Sequence, residues 1–181
     1  MLRIVVPARE YYDESKEEFV EVKEQTLVME HSLISISKWE AKWKKPYMSK
    51  DKKTQEEVID YFRCMTIGPE ADPIVYHSFS AENIAAITEY INDPMTATTI
   101  SETQTKSGRR EIVTSEIIYY WMIAQQIPTE YEKWHLNRLL TLIKVCAIKN
   151  NPNQKKMSRS AIAKQNHALN AARRKKYGTR G

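Results

Sequence analysis

The feature that most constrains the fold is the apolar stretch at residues 114–150, TSEIIYYWMIAQQIPTEYEKWHLNRLLTLIKVCAIKN. Its apolar residues recur at three- and four-residue spacing on both sides of Pro128, which is typical of helices. Proline disfavours helical geometry at the residue before it, so we expect one helix to end there. Thr129 and Glu132 have the spacing of a capping box, which would begin a second helix at once.

The pattern therefore predicts a helical hairpin at residues 114–150. The second helix should be largely buried, because its apolar positions extend beyond one face. These positions include Leu136, Leu139, Leu140 and Ile143. Since each large side chain contributes roughly 1.5–3 kcal/mol on burial, we expect this hairpin to organise the fold and supply most of its cohesion.

The first 30 residues favour strands rather than helices. β-prone runs at residues 2–6, 19–22 and 26–30 are separated by Pro7 and by polar turn residues. This pattern predicts a small antiparallel sheet that includes a hairpin around residues 11–22. Four helical segments bounded by caps or prolines then follow, at residues 32–45, 54–67, 72–77 and 80–93.

A second hairpin is predicted near residues 96–113, where β-branched residues at 98–100 and 112–113 flank a polar connection. Residues 151–181 are basic and predict an arm or helix attached to a globular domain at residues 1–150. The expected fold class is therefore α+β and mainly helical. It comprises a helical core, a small antiparallel N-terminal sheet, a β-hairpin and a basic C-terminal helix or arm.

Charge is divided unequally along the chain. The last acidic residue is Glu132, and 13 of the 28 lysines and arginines follow it. The net charge is therefore −8 for residues 1–132 and +13 for residues 133–181, although the whole chain carries only +5. This polarity predicts that the C-terminal arm binds an acidic partner, either a protein or a nucleic acid.

No membrane span is expected, because the longest uncharged apolar run, residues 117–127, is shorter than the about 20 residues that cross a bilayer. The N-terminus lacks the apolar region and cleavage site of a secretory signal, so we expect the protein in a reducing cytoplasm. There, Cys64 and Cys146 are expected to be buried thiols rather than a disulfide.

Motifs of catalysis and cofactor binding are absent from the sequence. A phosphate-binding loop cannot be formed by the four glycines, which stand at positions 68, 108, 178 and 181. Glu132 and His135 are one helical turn apart, as in di-iron bundles, but no second such pair accompanies them. We interpret Glu132 as a cap and His135 as a residue at a polar edge.

The remaining candidates for chemistry are weaker still. His31 and His77 lack partners at ligand spacing, and neither cysteine has a second cysteine near it, so no zinc site is indicated. A catalytic triad that assembles in space leaves no fixed spacing in the sequence, but no nucleophile elbow is present. We therefore predict no catalytic residue, no metal site and no cofactor.

Two features are candidates for binding another protein. Trp39 and Trp43 are one turn apart and form an aromatic ridge, which is typical either of core packing or of an exposed docking ridge. The tip of the predicted hairpin at 96–113 is hydrophilic and contains Arg109 and Arg110. Loops of this kind often contact partners.

The basic residues of the C-terminal arm are a third candidate. They form an electrostatic footprint suited to phosphates or to an acidic protein surface. The residues are Lys155, Lys156, Arg159, Lys164, Arg173, Arg174, Lys175 and Lys176. Docking on a protein, binding of nucleic acid and the absence of any binding role all explain the pattern, and Tyr177 alone is weak evidence for base stacking.

Five runs cover most of the sequence: EHSLISISKWEAKWKKPYMSK at 30–50, DYFRCMTI at 60–67, INDPMTATTI at 91–100, REIVTSEIIYYWMIAQQIPTEYEKWHLNRLLTLIKVCAIKN at 110–150, and ALNAARRKKYGTRG at 168–181. In wording and order, they resemble a family of small proteins encoded in the tail-gene region of tailed bacteriophages. The resemblance spans nearly the whole chain and includes no short catalytic motif.

This resemblance implies a non-enzymatic tail assembly factor of the host cytoplasm. It implies in particular a tail assembly chaperone that shields the tape measure protein while the tail tube subunits polymerise. An alternative is a structural virion protein of the tail or head–tail connector, whose arms would insert into neighbouring subunits of a homo-oligomer. A second alternative, which rests on the basic C-terminus, is a nucleic-acid-binding protein. The family defines no catalytic residues.

Overall fold

The fold is that of a computed structural model, which describes residues 1–13, 17–69, 71–100, 112–150 and 159–177. The chain divides into two compact units, Met1–Ala147 and Ile148–Gly181. Its architecture is α+β and mainly helical, so the predicted fold class is confirmed.

Short strands of the first unit form two antiparallel sheets within the described residues. Leu2–Val6 (β1) pairs with Gln25–Met29 (β4), and Thr66–Ile67 (β5) pairs with β4 as well, which gives the order β1-β4-β5. Arg9–Asp13 (β2) and Glu18–Val22 (β3) form a separate hairpin. The predicted N-terminal strands are therefore confirmed, although they belong to two sheets rather than one.

Helices make up most of the remaining structure, and none of those described is long and apolar enough to span a membrane. In chain order they are Leu33–Trp43 (α1), Gln55–Met65 (α2), Pro73–His77 (α3), Ala81–Asn92 (α4), Ser115–Ala124 (α5), Leu136–Lys149 (α6) and Arg159–Tyr177 (α7). A 3-10 helix spans Thr129–Lys133.

Three helices begin at the caps that the sequence predicts. The hydroxyl groups of Ser32, Thr54 and Ser80 each accept a hydrogen bond from the backbone amide three residues later, at the N-termini of α1, α2 and α4. Each cap satisfies an amide that the helix itself leaves without a partner.

The centre of the core is α1. Leu33, Ile36 and Trp39 are fully buried, and α1 packs against α2, against α5 and against the 3-10 helix. The prediction that the 114–150 hairpin organises the fold is therefore wrong. A long apolar stretch shows how much apolar volume is present, whereas the central position belongs to α1, which packs against three other helices.

The predicted start of the second helix of that hairpin is also wrong. Thr129 begins the 3-10 helix without a side-chain cap, and Glu132 accepts a hydrogen bond from the Tyr119 hydroxyl at 2.8 Å instead of closing a capping box. α6 begins only at Leu136, whose backbone amide donates to the carbonyl of His31 at 2.7 Å. Residues distant in the sequence, Tyr119 and His31, therefore bind the groups that would otherwise form or follow the local cap.

The β-hairpin predicted near residues 96–113 is not formed by the part of it that the structure describes. Residues 96–100 and 112–113 contain no strand, and residues 101–111 lie outside the described residues. β-branched residues indicate compatibility with a pleated, half-buried surface and do not by themselves supply a pairing partner.

Candidate functional site

An apolar groove with a volume of about 560 Å³ lies between α5 and α6. Most of its lining is aliphatic or aromatic: Met48, Val113, Tyr120, Trp121, Ala124, Leu140, Ile143 and Ala147. Gln125 and Lys144 are the polar residues of the lining. We call this surface the α5–α6 groove.

The groove exists because α5 is apolar on all sides. Ile118 and Met122 are buried in the core, whereas Tyr120, which lines the groove, is 67% exposed. A helix that is apolar all round is normally covered on every face, so its uncovered face calls for an explanation. Contiguous exposed apolar surface commonly marks an interaction site.

α6 contributes a regular stripe to the other wall. Leu140, Ile143, Lys144 and Ala147 follow the spacing that places residues on one helical face, and all four line the groove. Leu136 and Leu139 are fully buried in the core. The groove is therefore bounded by two helical walls, a geometry that accepts a third, amphipathic helix along its length.

The tryptophan pair predicted as core or as a docking ridge belongs to the core. Trp39 is 1% exposed, and its indole N–H donates to the carbonyl of Glu57 at 2.8 Å. Trp43 is partly buried, stacks on Trp39 with ring centroids 6.2 Å apart, and donates to the Asp60 carboxylate at 2.8 Å. Docking through Trp39 is excluded because α1 lies at the centre of the fold.

Two histidines that the sequence places far apart meet inside the first unit. The ring centroids of His31 and His135 are 5.1 Å apart, and the side chains are 3% and 5% exposed. His135 Nε2 lies 2.9 Å from the backbone carbonyl oxygen of Tyr90. The interpretation of His135 as a polar-edge residue is therefore wrong. His31 has no partner at ligand spacing in the sequence, yet the fold places His135 and Tyr61 beside it. No sequence spacing could have revealed the pair.

The electrostatics around His31 favour a neutral side chain. Burial, followed by the nearby His135, lowers the pKa of His31 from 6.5 to about 3. Burial raises the pKa of Tyr61, whose hydroxyl lies 2.5 Å from Nδ1 of His31, well above 10. A neutral imidazole and a neutral phenol therefore share this hydrogen bond, and the tautomer of His31 sets which of them donates.

The histidine pair has neither the access nor the neighbours of a reactive centre. Its side chains are almost fully buried, so a substrate cannot reach them. Over the described part of the chain, no group of three or more histidines, cysteines, aspartates or glutamates could hold a metal ion. Cys64 and Cys146 are free thiols, as predicted, but both are partly buried rather than buried.

The basic residues predicted in the arm lie partly on α7. Lys164, Arg173 and Arg174 are exposed on this helix, and Arg159, Lys175 and Lys176 belong to it as well. The other predicted partner-binding residues lie outside the described residues; they are Lys155, Lys156, Arg109 and Arg110. α7 contains no acidic residue, so it presents a purely cationic helix.

No protein-family model, curated protein or solved structure matches the chain.

Proposed function

We propose that this chain is a non-enzymatic bacteriophage tail assembly factor that binds apolar helical segments of tail proteins through the α5–α6 groove. The tape measure and tail tube proteins are the proposed clients. The observation that carries the binding role is the groove itself, which leaves a tyrosine and a tryptophan beside aliphatic residues of α6. The choice of a phage tail rests on the resemblance of the sequence runs.

The size and composition of the groove suit an amphipathic helix. Recognition of this kind uses anchors at every third or fourth residue of the client, and the lining of α6 repeats at that spacing. Each large apolar anchor that leaves water contributes roughly 1.5–3 kcal/mol before the costs of ordering, so two or three anchors are enough for reversible binding.

Reversible binding is what a chaperone requires. An apolar groove covers the apolar face of a client helix and prevents its aggregation until the client is incorporated into the tail. The cationic α7 would raise the rate of encounter with an acidic client without adding much affinity, because long-range charge acts mainly on association. Both features therefore support a transient partner.

The binding role is tested with two variants that place the same charge on neighbouring positions of α5. Ala124 lines the groove, whereas Ile123 is exposed and is not part of the lining. In co-expression with the tape measure protein of the same phage, we expect wild-type chain and Ile123→Glu to give a soluble complex. Ala124→Glu should lose it, because the carboxylate would lie among apolar side chains.

The complex is measured by affinity capture through a tag on the tape measure protein, with quantification of both chains. Equal recovery of the Ala124→Glu and Ile123→Glu variants would contradict binding through the groove. Mass spectrometry of purified particles then separates a chaperone from a structural protein of the tail or connector. Abundant copies in finished particles would overturn the chaperone role.

A second candidate function is nucleic-acid binding through α7, which its exposed Lys164, Arg173 and Arg174 favour. The affinity for single- and double-stranded DNA and for RNA should then fall steeply with salt, as phosphate contacts require. Deletion of residues 151–181 should abolish this affinity. No binding at low salt, or equal binding after the deletion, would reject this function.

A further inference from the structure

The hairpin of β2 and β3 continues the strand pair that β1 forms with β4. Val6 faces Gln25 at one end of that pair, and Arg9 faces Val22 where the hairpin begins. Two residues separate these positions on each strand, so the register continues across the break without a slip. The base of this ribbon is anchored in the core through Ile4 and Val6, which are buried. We call β2 and β3 together the β-arm.

The β-arm is supported mainly by its own two strands. Among the described helices and strands, β2 and β3 pack extensively only on each other. A two-stranded hairpin is at best marginally stable in water, and a third strand or a helix packed on it normally supplies the missing support. On the β-arm, Phe19 is 73% exposed. The β-arm therefore offers a sheet face that another element can cover.

One face of the β-arm combines negative charge with an aromatic side chain. Glu10 lies directly opposite Glu21, and both residues are exposed. Phe19 stands two residues from Glu21 on β3, so it belongs to the same face, because side chains alternate along a strand. Two like charges in directly opposite positions destabilise a strand pair. A cation that reaches both carboxylates would remove this repulsion.

α7 has a face of complementary chemistry. Ile162, Leu169 and Arg173 follow one another at spacings of seven and four residues, which places them on one side of the helix. Ile162 is 45% exposed, and Arg173 is exposed. The charges of the two elements are also opposite. Residues 9–22 contain six acidic and two basic residues, whereas residues 159–177 contain six basic residues and no acidic one.

The spacing of the two faces matches as well. Leu169 and Arg173 are four residues apart, which corresponds to about 6 Å along a helix. Phe19 and Glu21 are two residues apart, which corresponds to about 6.6 Å along a strand. α7 laid along the β-arm would therefore bring its arginine to the carboxylates while its leucine covers the phenylalanine ring. The fork of donors on a guanidinium group is well suited to carboxylates.

We propose that α7 of a second copy of this chain covers the β-arm. Arg173 then meets the carboxylates of Glu10 and Glu21. Leu169 packs on Phe19. Each copy carries one β-arm and one α7, so two copies can exchange the same contact around a two-fold axis. One such contact is small, but the second forms within an existing complex and is favoured by the high effective concentration there.

The test measures self-association of the full chain by sedimentation velocity at about 50 mM and about 500 mM salt. We expect a dimer whose dissociation constant rises with salt, because salt screens exposed charges. The double variant Glu10→Lys/Glu21→Lys should weaken the dimer about tenfold or more at the lower salt, since it places like charges opposite α7. The β-arm itself keeps a pair of like charges, so its own stability changes little.

Each charge reversal has a matched control. The double variant Glu89→Lys/Glu130→Lys changes the net charge equally at exposed positions elsewhere in the first unit. On α7, Arg173→Glu reverses the charge on the face of Leu169, whereas Lys164→Glu does so on the opposite side of the helix. Arg173→Glu should weaken the dimer about tenfold or more, and both controls should stay within about twofold of the wild-type chain.

Mixing the two weakened variants distinguishes contact between copies from contact within one chain. In a mixed dimer each reversed element faces an element of opposite charge. Glu10→Lys/Glu21→Lys and Arg173→Glu should therefore form together the dimer that neither forms alone. A wild-type chain that stays monomeric, equal dissociation constants for the variants and their controls, or a mixture that stays monomeric would each overturn the proposal. These outcomes are independent of client capture, which is tested at Ala124 and Ile123 on α5.

Discussion

Acidification is expected to destabilise the first unit through the buried His31. Its pKa falls from 6.5 to about 3 in the folded chain, first because of burial and then because of His135. Below pH 6.5 the unfolded chain therefore binds a proton that the folded chain does not. The stabilisation is complete above pH 6.5 and is lost as the pH falls towards 3.

The magnitude follows from the linkage between protons and folding. One pH unit between the two pKa values corresponds to about 1.4 kcal/mol, so lowering the pH from 6.5 to 4.5 should cost about 3 kcal/mol of the free energy of unfolding. That is a large part of the about 5–15 kcal/mol that stabilises a typical domain. The His31 contribution should therefore be visible well before the pH reaches its folded pKa.

The assay is urea unfolding at several pH values between 7 and 4.5 for the wild-type chain and two variants. His31→Gln removes the titration while keeping a hydrogen-bonding side chain beside the Tyr61 hydroxyl, and His77→Gln removes an exposed histidine as a control. We expect the wild-type and control chains to lose about 3 kcal/mol more than His31→Gln over this range. Carboxylates titrate in all three proteins and cancel in the comparison. An identical pH dependence in all three would refute this account of His31.

Two further predictions concern the core and the Cys64 thiol. Leu139→Ala should lower the free energy of unfolding, measured in urea, by about 3–5 kcal/mol, because Leu139 is fully buried. Leu140→Ala should lower it by less and should weaken client capture, because Leu140 is partly buried and lines the groove. Equal losses of stability would contradict this assignment of the two residues to different faces of α6. Asp60→Asn should lower the pKa of Cys64 from about 11, because it removes a carboxylate that raises this pKa and keeps the three cations that lower it, Lys38, Lys42 and Arg63. Iodoacetamide should therefore alkylate Cys64 faster at pH 8 in a Cys146→Ser background. An unchanged alkylation rate would contradict the effect of Asp60 on the pKa of this thiol.

The features that the sequence predicted correctly depend on neighbouring residues. Ser32, Thr54 and Ser80 cap helices because each hydroxyl reaches an amide three residues away. Thr129 has the same local pattern, yet its capping box is not formed, because the Tyr119 hydroxyl takes Glu132 from 13 residues away. A motif of this kind is reliable only where no distant group competes for its side chains.

Two concave surfaces of the first unit, the α5–α6 groove and a cavity between α1 and α2, illustrate why the remaining features could not be predicted. Ile118 and Tyr120 are both apolar residues of α5, but packing buries the first and leaves the second exposed beside α6. Periodicity can distinguish the faces of a helix only when one face is polar, so it gives no information on a helix that is apolar all round. Lys38 and Arg63 likewise lie on different helices, and only the antiparallel packing of α1 and α2 brings them to one cavity. Only the folded chain shows which apolar side chains the core leaves uncovered. Several of them line the α5–α6 groove, where we propose that the client binds.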